Sequence, residues 1–280
     1  MRSLVPAFAG FVALMSGAAA SAASSSSPPI EASALHLRYG VSLIGLPIGT
    51  ASVDGTIGAK GYRLEGAGKL TGLAGIIVDT KGAVTAAGTF AGGHVNPASF
   101  AASAGTPNYL LTIRMAMEHG TATGVEITPM YQQTPDRIPL TPADRRNIID
   151  PMSSLIMAVP GTGDVIGPQS CNRTIPIFDG GVRFNVLLAY TGTHQVTSPA
   201  YTGPVAVCAA RYQPISGYRP NRPVNKFMAD NKQMETWLAP VGKSRFVVPY
   251  RISVMSMIGM VVIEATDFTI SPAAKAEVAH

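Results

Sequence analysis

Cys171 and Cys208 are the only two cysteines in this 280-residue chain. Neither lies in a C-x-x-C pattern or beside a histidine, so a redox or metal thiol pair has no local support, and the pair reads as a structural disulfide if the chain reaches an oxidising compartment. The histidines, His36, His94, His119, His194 and His280, stand apart in sequence. No two have metal-ligand spacing, and none has a local triad partner. There is no G-x-S-x-G elbow and no phosphate loop, and Gly66-Ala67-Gly68 lacks the third glycine of a dinucleotide fingerprint. A carboxylate pair for glycoside chemistry can come from distant positions. Nothing singles out two acids among Glu65, Asp79, Glu118, Glu126, Asp150, Asp179 and Glu264. Arg145, Arg146 and Asp150 make the one local charge cluster, which reads as helix caps and solvated charges beside an apolar stripe. The expectation is a protein without catalytic residues, metal or cofactor.

The N-terminus supplies the compartment. Met1-Arg2 is followed by an uncharged, apolar stretch over 4–17 and the small-residue run 18–22. These are the n-region, h-region and cleavage site of a secretory signal peptide. The stretch is shorter than the roughly 20 residues of a membrane helix. Residues 1–22 are therefore expected to be removed, leaving a Ser/Pro tether over 23–33, a single β-rich domain over 34–271 and a tail over 272–280. The expected location is the periplasm, with no transmembrane segment after cleavage. Charged residues make up 13% of the chain, against 29 Gly and 22 Pro, which suits many short strands joined by turns. The net charge is +5, and the basic residues are scattered. A nucleic-acid partner, which needs them clustered, is not expected.

Leu35, Leu37, Tyr39, Val41 and Leu43 alternate with polar or small residues, the period of a strand with one wet face. Pro47 then marks a bend, bulge or edge. Further strands are expected over 50–57, 62–70 and 109–117, with His119-Gly120 turning the chain back. Thr141-Pro142-Ala143-Asp144 and Asp150-Pro151 each carry helix N-terminal signals. They predict two short helices over 142–159, hinged at Asp150. Asp179-Gly180-Gly181 predicts a hairpin between strands 174–178 and 182–190, and a Cys171–Cys208 bridge would tie neighbouring strands of that meander. Closing about 38 residues is worth roughly 3–4 kcal/mol. The strand over 234–238 holds the only tryptophan, Trp237, and the charge-free run 253–263 reads as a buried strand.

Several pieces in order resemble the uncharacterised exported proteobacterial domain-of-unknown-function family 3108. They are residues 45–49 (GLPIG), 71–73 (TGL), 150–155 (DPMSSL), 171–174 (CNRT), 178–180 (FDG), 212–220 (YQPISGYRP) and 237–240 (WLAP), with Pro249 and Ile258-Gly259. The resemblance implies an envelope protein with no assigned reaction. More distantly, such proteins are similar to the lipoprotein-carrier group, whose half-open curved sheet wraps an apolar cavity closed by short helices. The expected fold is thus mainly β, a single curved antiparallel sheet or half-open barrel with short helices packed in its concave side. Ile148, Ile149, Met152, Leu155, Ile156 and Val159 are the expected cavity lining, facing strands in 35–43 and 254–263. Asp150, Pro151, Asp179, Gly180 and Trp237 are expected structural positions. The expected role is a non-catalytic periplasmic binding or scaffold protein of the cell envelope, with a lipid, lipoprotein or envelope protein as partner. The alternative is a hydrolase of peptidoglycan or polysaccharide. A dry, filled core competes with the cavity for the same apolar residues.

Overall fold

The computed structural model describes residues 32–59, 61–71, 80–91, 93–131 and 134–273. The expected leader, all of the expected tether but Ala32 and Ser33, residues 274–280 of the tail, and Gly72-Leu73 of the second motif lie outside them.

A first meander contains β1 (Ser33–Leu43), β2 (Leu46–Gly58), β3 (Gly61–Leu70), β4 (Thr80–Ala91), β5 (His94–Thr106), β6 (Tyr109–Glu118) and β7 (Thr121–Thr128). After a long connection comes the two-residue strand β8 (Met157–Ala158). A second meander follows with β9 (Arg173–Phe178), β10 (Arg183–Thr197), β11 (Thr202–Ser216), β12 (Met234–Pro240), β13 (Phe246–Ser256) and β14 (Gly259–Pro272). Strands join in the order β7-β6-β5-β4-β3-β2-β1-β14-β13-β12-β11-β10-β9, with β8 added on β13, and every strand pairing is antiparallel. The first and last strands are therefore neighbours in mid-sheet.

The alternation in β1 does what its period requires: Leu35, Leu37, Tyr39, Val41 and Leu43 are all buried, while His36 and Arg38 are exposed. Register shifts interrupt six of the pairings. Each such bulge bends the strand that carries it, and the sheet curls around one large core to which every strand contributes, β8 through half-buried Ala158. One bulge sits at Ile48, beside Pro47, since Val41 pairs Gly49 while Ser42 pairs Pro47.

The curl stops short of a closed barrel. β7 and β9 remain the two edges, and residues 146–149 are stitched to both. Arg146 bridges Thr121, the Ile148 amide donates to the Gly120 carbonyl at 3.0 Å, and the Ile149 amide donates to Pro176 at 2.8 Å. In return the Phe178 amide donates to Ile149 at 3.0 Å. Close by, the β9–β10 turn presses on the far edge of the sheet. Gly180 has φ +99°, and a Cβ there would stand 2.8 Å from the Ile113 side chain of β6. Only glycine suits both demands.

Four expectations need correction. The two helices over 142–159 are single 3-10 turns, Pro142–Arg145 and Ser153–Leu155, followed by β8. The cap signals are real: Thr141 N and Oγ1 both donate to Asp144 Oδ2 at 2.7 Å. The chain beyond them pairs with sheet edges instead of propagating a helix. Two short helices appear that the sequence signals do not predict, α1 (Pro168–Cys171) and α2 (Pro223–Asp230), each with proline in its first turn. The Cys171–Cys208 disulfide is present, with Cα atoms 5.5 Å apart. It ties α1 to β11, across β10, instead of joining neighbouring strands. Finally, 253–263 is a hairpin whose turn, Met257-Ile258, stands in solvent.

Along β11 and β13 both faces are buried. Val205, Phe246 and Val248 belong to the main core, whereas Ala206, Cys208 and Val247 belong to a second core beneath α1. Residues adjacent in a strand point to opposite faces, so the disulfide lies across the sheet from the concave side.

Candidate functional site

A groove of about 460 Å³ opens on the concave face between β2, β3, β4 and β5. It exists because the inward positions of these strands change from large to small residues along their length. Leu64, Ala86 and Phe100 lie side by side in the main core, and Ile57, from the same end of β2, joins them. Farther along the same face come Ala51, Gly68, Gly82 and Ala104, which leave the space unfilled. Val53, Val84 and Leu70 make the remaining wall apolar. Met152 and Leu155 close one side. A Cβ built on Gly66 would lie 3.1 Å from the Met152 terminal methyl, which places that side chain directly on the sheet.

The segment carrying Met152 is held by a buried polar chain. Asp150 is fully buried, and its Oδ1 accepts the amides of Met152 at 3.0 Å and Ser153 at 2.8 Å. Its Oδ2 has no hydrogen-bond partner among the described residues. The Tyr62 hydroxyl of β3 donates to Ser153 Oγ at 2.7 Å, fixing the turn to the sheet. Burial pushes the Asp150 carboxyl up to about 6, against the opposing pull of its hydrogen bonds from Ser153 and Met152.

Because the folded chain keeps this proton where the unfolded chain has released it, Asp150 supports stability most below pH 4. That support is lost as pH rises to about 6, a change of about 3 kcal/mol. Asp150→Asn retains an acceptor for both amides and removes the ionisation. Urea unfolding between pH 3.5 and 8 should show the stability difference, variant minus wild type, rising through this window and then levelling. A flat difference would mean that the carboxyl titrates normally.

The other expected positions fall in several places. Ile148 and Ile156 are buried in the main core, Ile149 is half-buried at the seam, and Leu155 is half-buried at the groove. Val159 is the exception: it packs in the second core, on the opposite side of the sheet. Pro151 is half-buried beside Asp150. Asp179 is a turn former: its Oδ1 accepts the amides of Gly181 at 2.8 Å and Val182 at 2.6 Å. Burial raises its pKa despite those bonds. Trp237 stacks 4.7 Å from the His194 ring, carries the Arg251 guanidinium 5.0 Å above it, and donates to Glu235 at 2.6 Å. Arg145 and Arg146 are exposed and do not converge on buried Asp150.

A second cleft, of about 610 Å³, opens where the β4–β5 and β6–β7 turns meet β9 and α1, and the expected residues Ile148, Ile149 and Ile156 line part of it. His94, His119, Gln169 and Arg173 line it. Arg173 is spent on structure, donating to Ala158 at 2.8 Å and to Gln169 at 2.6 Å. These residues come from four separate elements, so no local sequence signal could have grouped them. Among the described residues no group of three or more His, Cys, Asp or Glu side chains could hold a metal ion. No helix among them is long and apolar enough to cross a membrane.

A family model described as "Protein of unknown function (DUF3108)" matches residues 36–266. No curated protein matches the chain. Among solved structures it is similar to a beta-barrel-like protein of the domain of unknown function DUF1849 from Brucella abortus. The two share 10% identity over 87% of this chain and 99% of the other, with a TM-score of 0.47.

Proposed function

Because the chain belongs to the DUF3108 family, whose description assigns no activity, we propose a role from its own geometry: a non-catalytic binding protein of the periplasm that holds an apolar ligand against its concave face. The ligand is an acyl chain, free or carried by a lipoprotein segment. The observation that carries this reading is the groove. Its volume of about 460 Å³ falls within the usual ligand-pocket range of roughly 300–1,000 Å³. Its accessible wall is almost entirely apolar, from Val, Leu, Met, Ala and Gly, although Ser and Thr residues with Lys69 and Lys81 also border it. The sheet fills its core elsewhere, so the run of small inward residues is a local departure from close packing.

Native mass spectrometry of protein purified from the periplasm tests it, with a lipid-sized mass expected on the wild type. Ala102→Leu, which fills the groove from β5, should keep the melting temperature within a few degrees and lose that mass. Leu155→Arg puts an unpaired charge at the groove wall, which is costly, and should either displace the lipid or destabilise the fold. A wild type that carries no lipid and takes up no fluorescent fatty acid would overturn the reading. So would a Leu155→Arg protein with unchanged melting and lipid load.

A further inference from the structure

We propose that one rim of the sheet is a docking surface for an anionic lipid bilayer. The β1–β2, β5–β6 and β13–β14 turns all lie at that rim, because β1, β5 and β13 run towards it and their antiparallel partners run away. Ile44, Leu46, Tyr109, Leu110, Met257 and Ile258 project there, each more than half exposed. The β1–β2 and β13–β14 turns touch: the Ile44 amide donates to Met260 at 2.9 Å, and the Ile44 side chain lies over Gly259. The chain around the rim is free of charge over 40–53, 95–113 and 252–263. The opposite rim is polar, with His94, His119 and Lys243 exposed in its turns.

Two features argue for a membrane. First, Ile44 has φ +49°, a left-handed conformation that a β-branched residue adopts only under strain. Asparagine or glycine would fit the backbone better, yet the position holds a large apolar side chain and points it into solvent. Second, cations stand behind the β1–β2 turn, whereas beside the β13–β14 turn the exposed Asp230 and Lys232 flank Asn231, which donates to the Met255 carbonyl at 2.8 Å. Lys69 and Lys81 face each other in register, one rung behind Leu70 and Thr80. With Thr50, Ser52, Thr266 and Arg38, whose guanidinium is paired with Asp54 at 3.0 Å, they line a shallow groove of about 570 Å³. Opposed like charges destabilise a sheet, and neither lysine has an ion pair among the described residues. At about 3.3 Å per residue the lysines, level with Thr50 and Gly40, stand roughly 13 Å behind the tip of the β1–β2 turn. Apolar side chains that enter the acyl boundary by roughly 5–10 Å would leave the lysines just outside it. The turns would enter the lipid while the ammonium groups meet the phosphates.

The surface does not depend on the concave groove being loaded: Ile44, Met257 and Ile258 lie outside that groove, and only Lys69 and Lys81 also border it. The test is flotation of the purified full chain with phosphatidylethanolamine–phosphatidylglycerol vesicles (3:1) and with phosphatidylcholine vesicles, each variant read against wild type in the same preparation. Wild type should partition into the anionic vesicles about tenfold more strongly, and lose most of that preference in 0.5 M salt. Met257→Ser with Ile258→Ser should lower partitioning about tenfold without shifting the melting temperature. Ile44→Gly should also lower partitioning while raising the melting temperature, which separates lost contact from lost fold. Lys69→Glu with Lys81→Glu should abolish the preference for anionic lipid. Variants that partition like wild type would overturn the proposal. So would a dimer, seen by ultracentrifugation, that Ile44→Gly dissociates, because the rim would then be an interface between copies.

Discussion

Phe178→Ala should lower the unfolding free energy by about 3–5 kcal/mol, the range for emptying a fully buried aromatic site. Phe178 is 0% exposed and sits in the main core at the end of β9. Its amide donates to Ile149, and two residues later Gly180 rests on β6. The ring is thus the largest buried side chain on the edge strand that the connecting segment holds in place. Little can collapse into the space it leaves, because Gly180 already touches Ile113 and supplies no side chain of its own. Urea unfolding gives the size of the effect. Hydrogen exchange gives its location: the Ile148 and Ile149 amides should lose protection before those in the middle of β1 and β14. A loss of less than about 1 kcal/mol, or exchange that speeds up uniformly, would show that the seam does not depend on this ring.

Breaking the Cys171–Cys208 bridge should cost about 3–4 kcal/mol, or about 6–15 °C of melting temperature for a domain of this size. Both sulfurs are fully buried. Cys208 lies mid-strand opposite Tyr190 on β10 and Thr236 on β12. α1 has 4 residues, too few to be stable as an isolated helix, so the bridge is what keeps it seated on the second core. Cys171→Ser and wild type in reductant should melt alike, and both should keep the ligand load of the concave groove, which lies across the sheet. Melting within 2 °C of the oxidised protein would mean that packing alone positions α1. Loss of ligand in a reduced but folded protein would mean that the two faces are coupled.

The strands are legible where one face is wet. In β1 and β6 the alternation of residue type maps directly onto alternation of burial, and the Asp179-Gly180 turn names itself through its side-chain acceptor. Beneath α1 the sheet is covered on both sides, and there the pattern blurs. Val205-Ala206, Leu238-Ala239 and Val247-Val248 are pairs of buried neighbours, which periodicity cannot assign to a face. That is why a helical stripe places Val159 on the wrong side. The run 253–263 shows the same limit: an uncharged apolar stretch reads as buried until Gly259, at φ +128°, reveals a turn. The signals at Thr141 and Asp150 are genuine local caps, but the path of the chain after each is set by distant partners: Gly120 and Pro176 after Thr141, Phe246 and Val247 after Asp150. The disulfide is legible from composition, two cysteines without a metal or redox pattern, and from the expectation of export. The groove is legible only in part: Met152 and Leu155 are expected to line it, but the small residues of β2–β5 that create it look like ordinary strand positions.

The pairing of β1 with β14 ties residues near 33 to residues near 272. The seven N-terminal strands cannot gain their neighbour on that side until the last segment of the chain has been made and delivered. Until then β1 offers a row of free amides and carbonyls over an apolar face, a template for unwanted association. Pairing across such a span is also slow to nucleate. A chain cut short before residue 259 would hold two unfinished half-sheets with no strand to join them. A molecule assembled in this order has reason to be guarded by chaperones until β14 is made and can pair with β1.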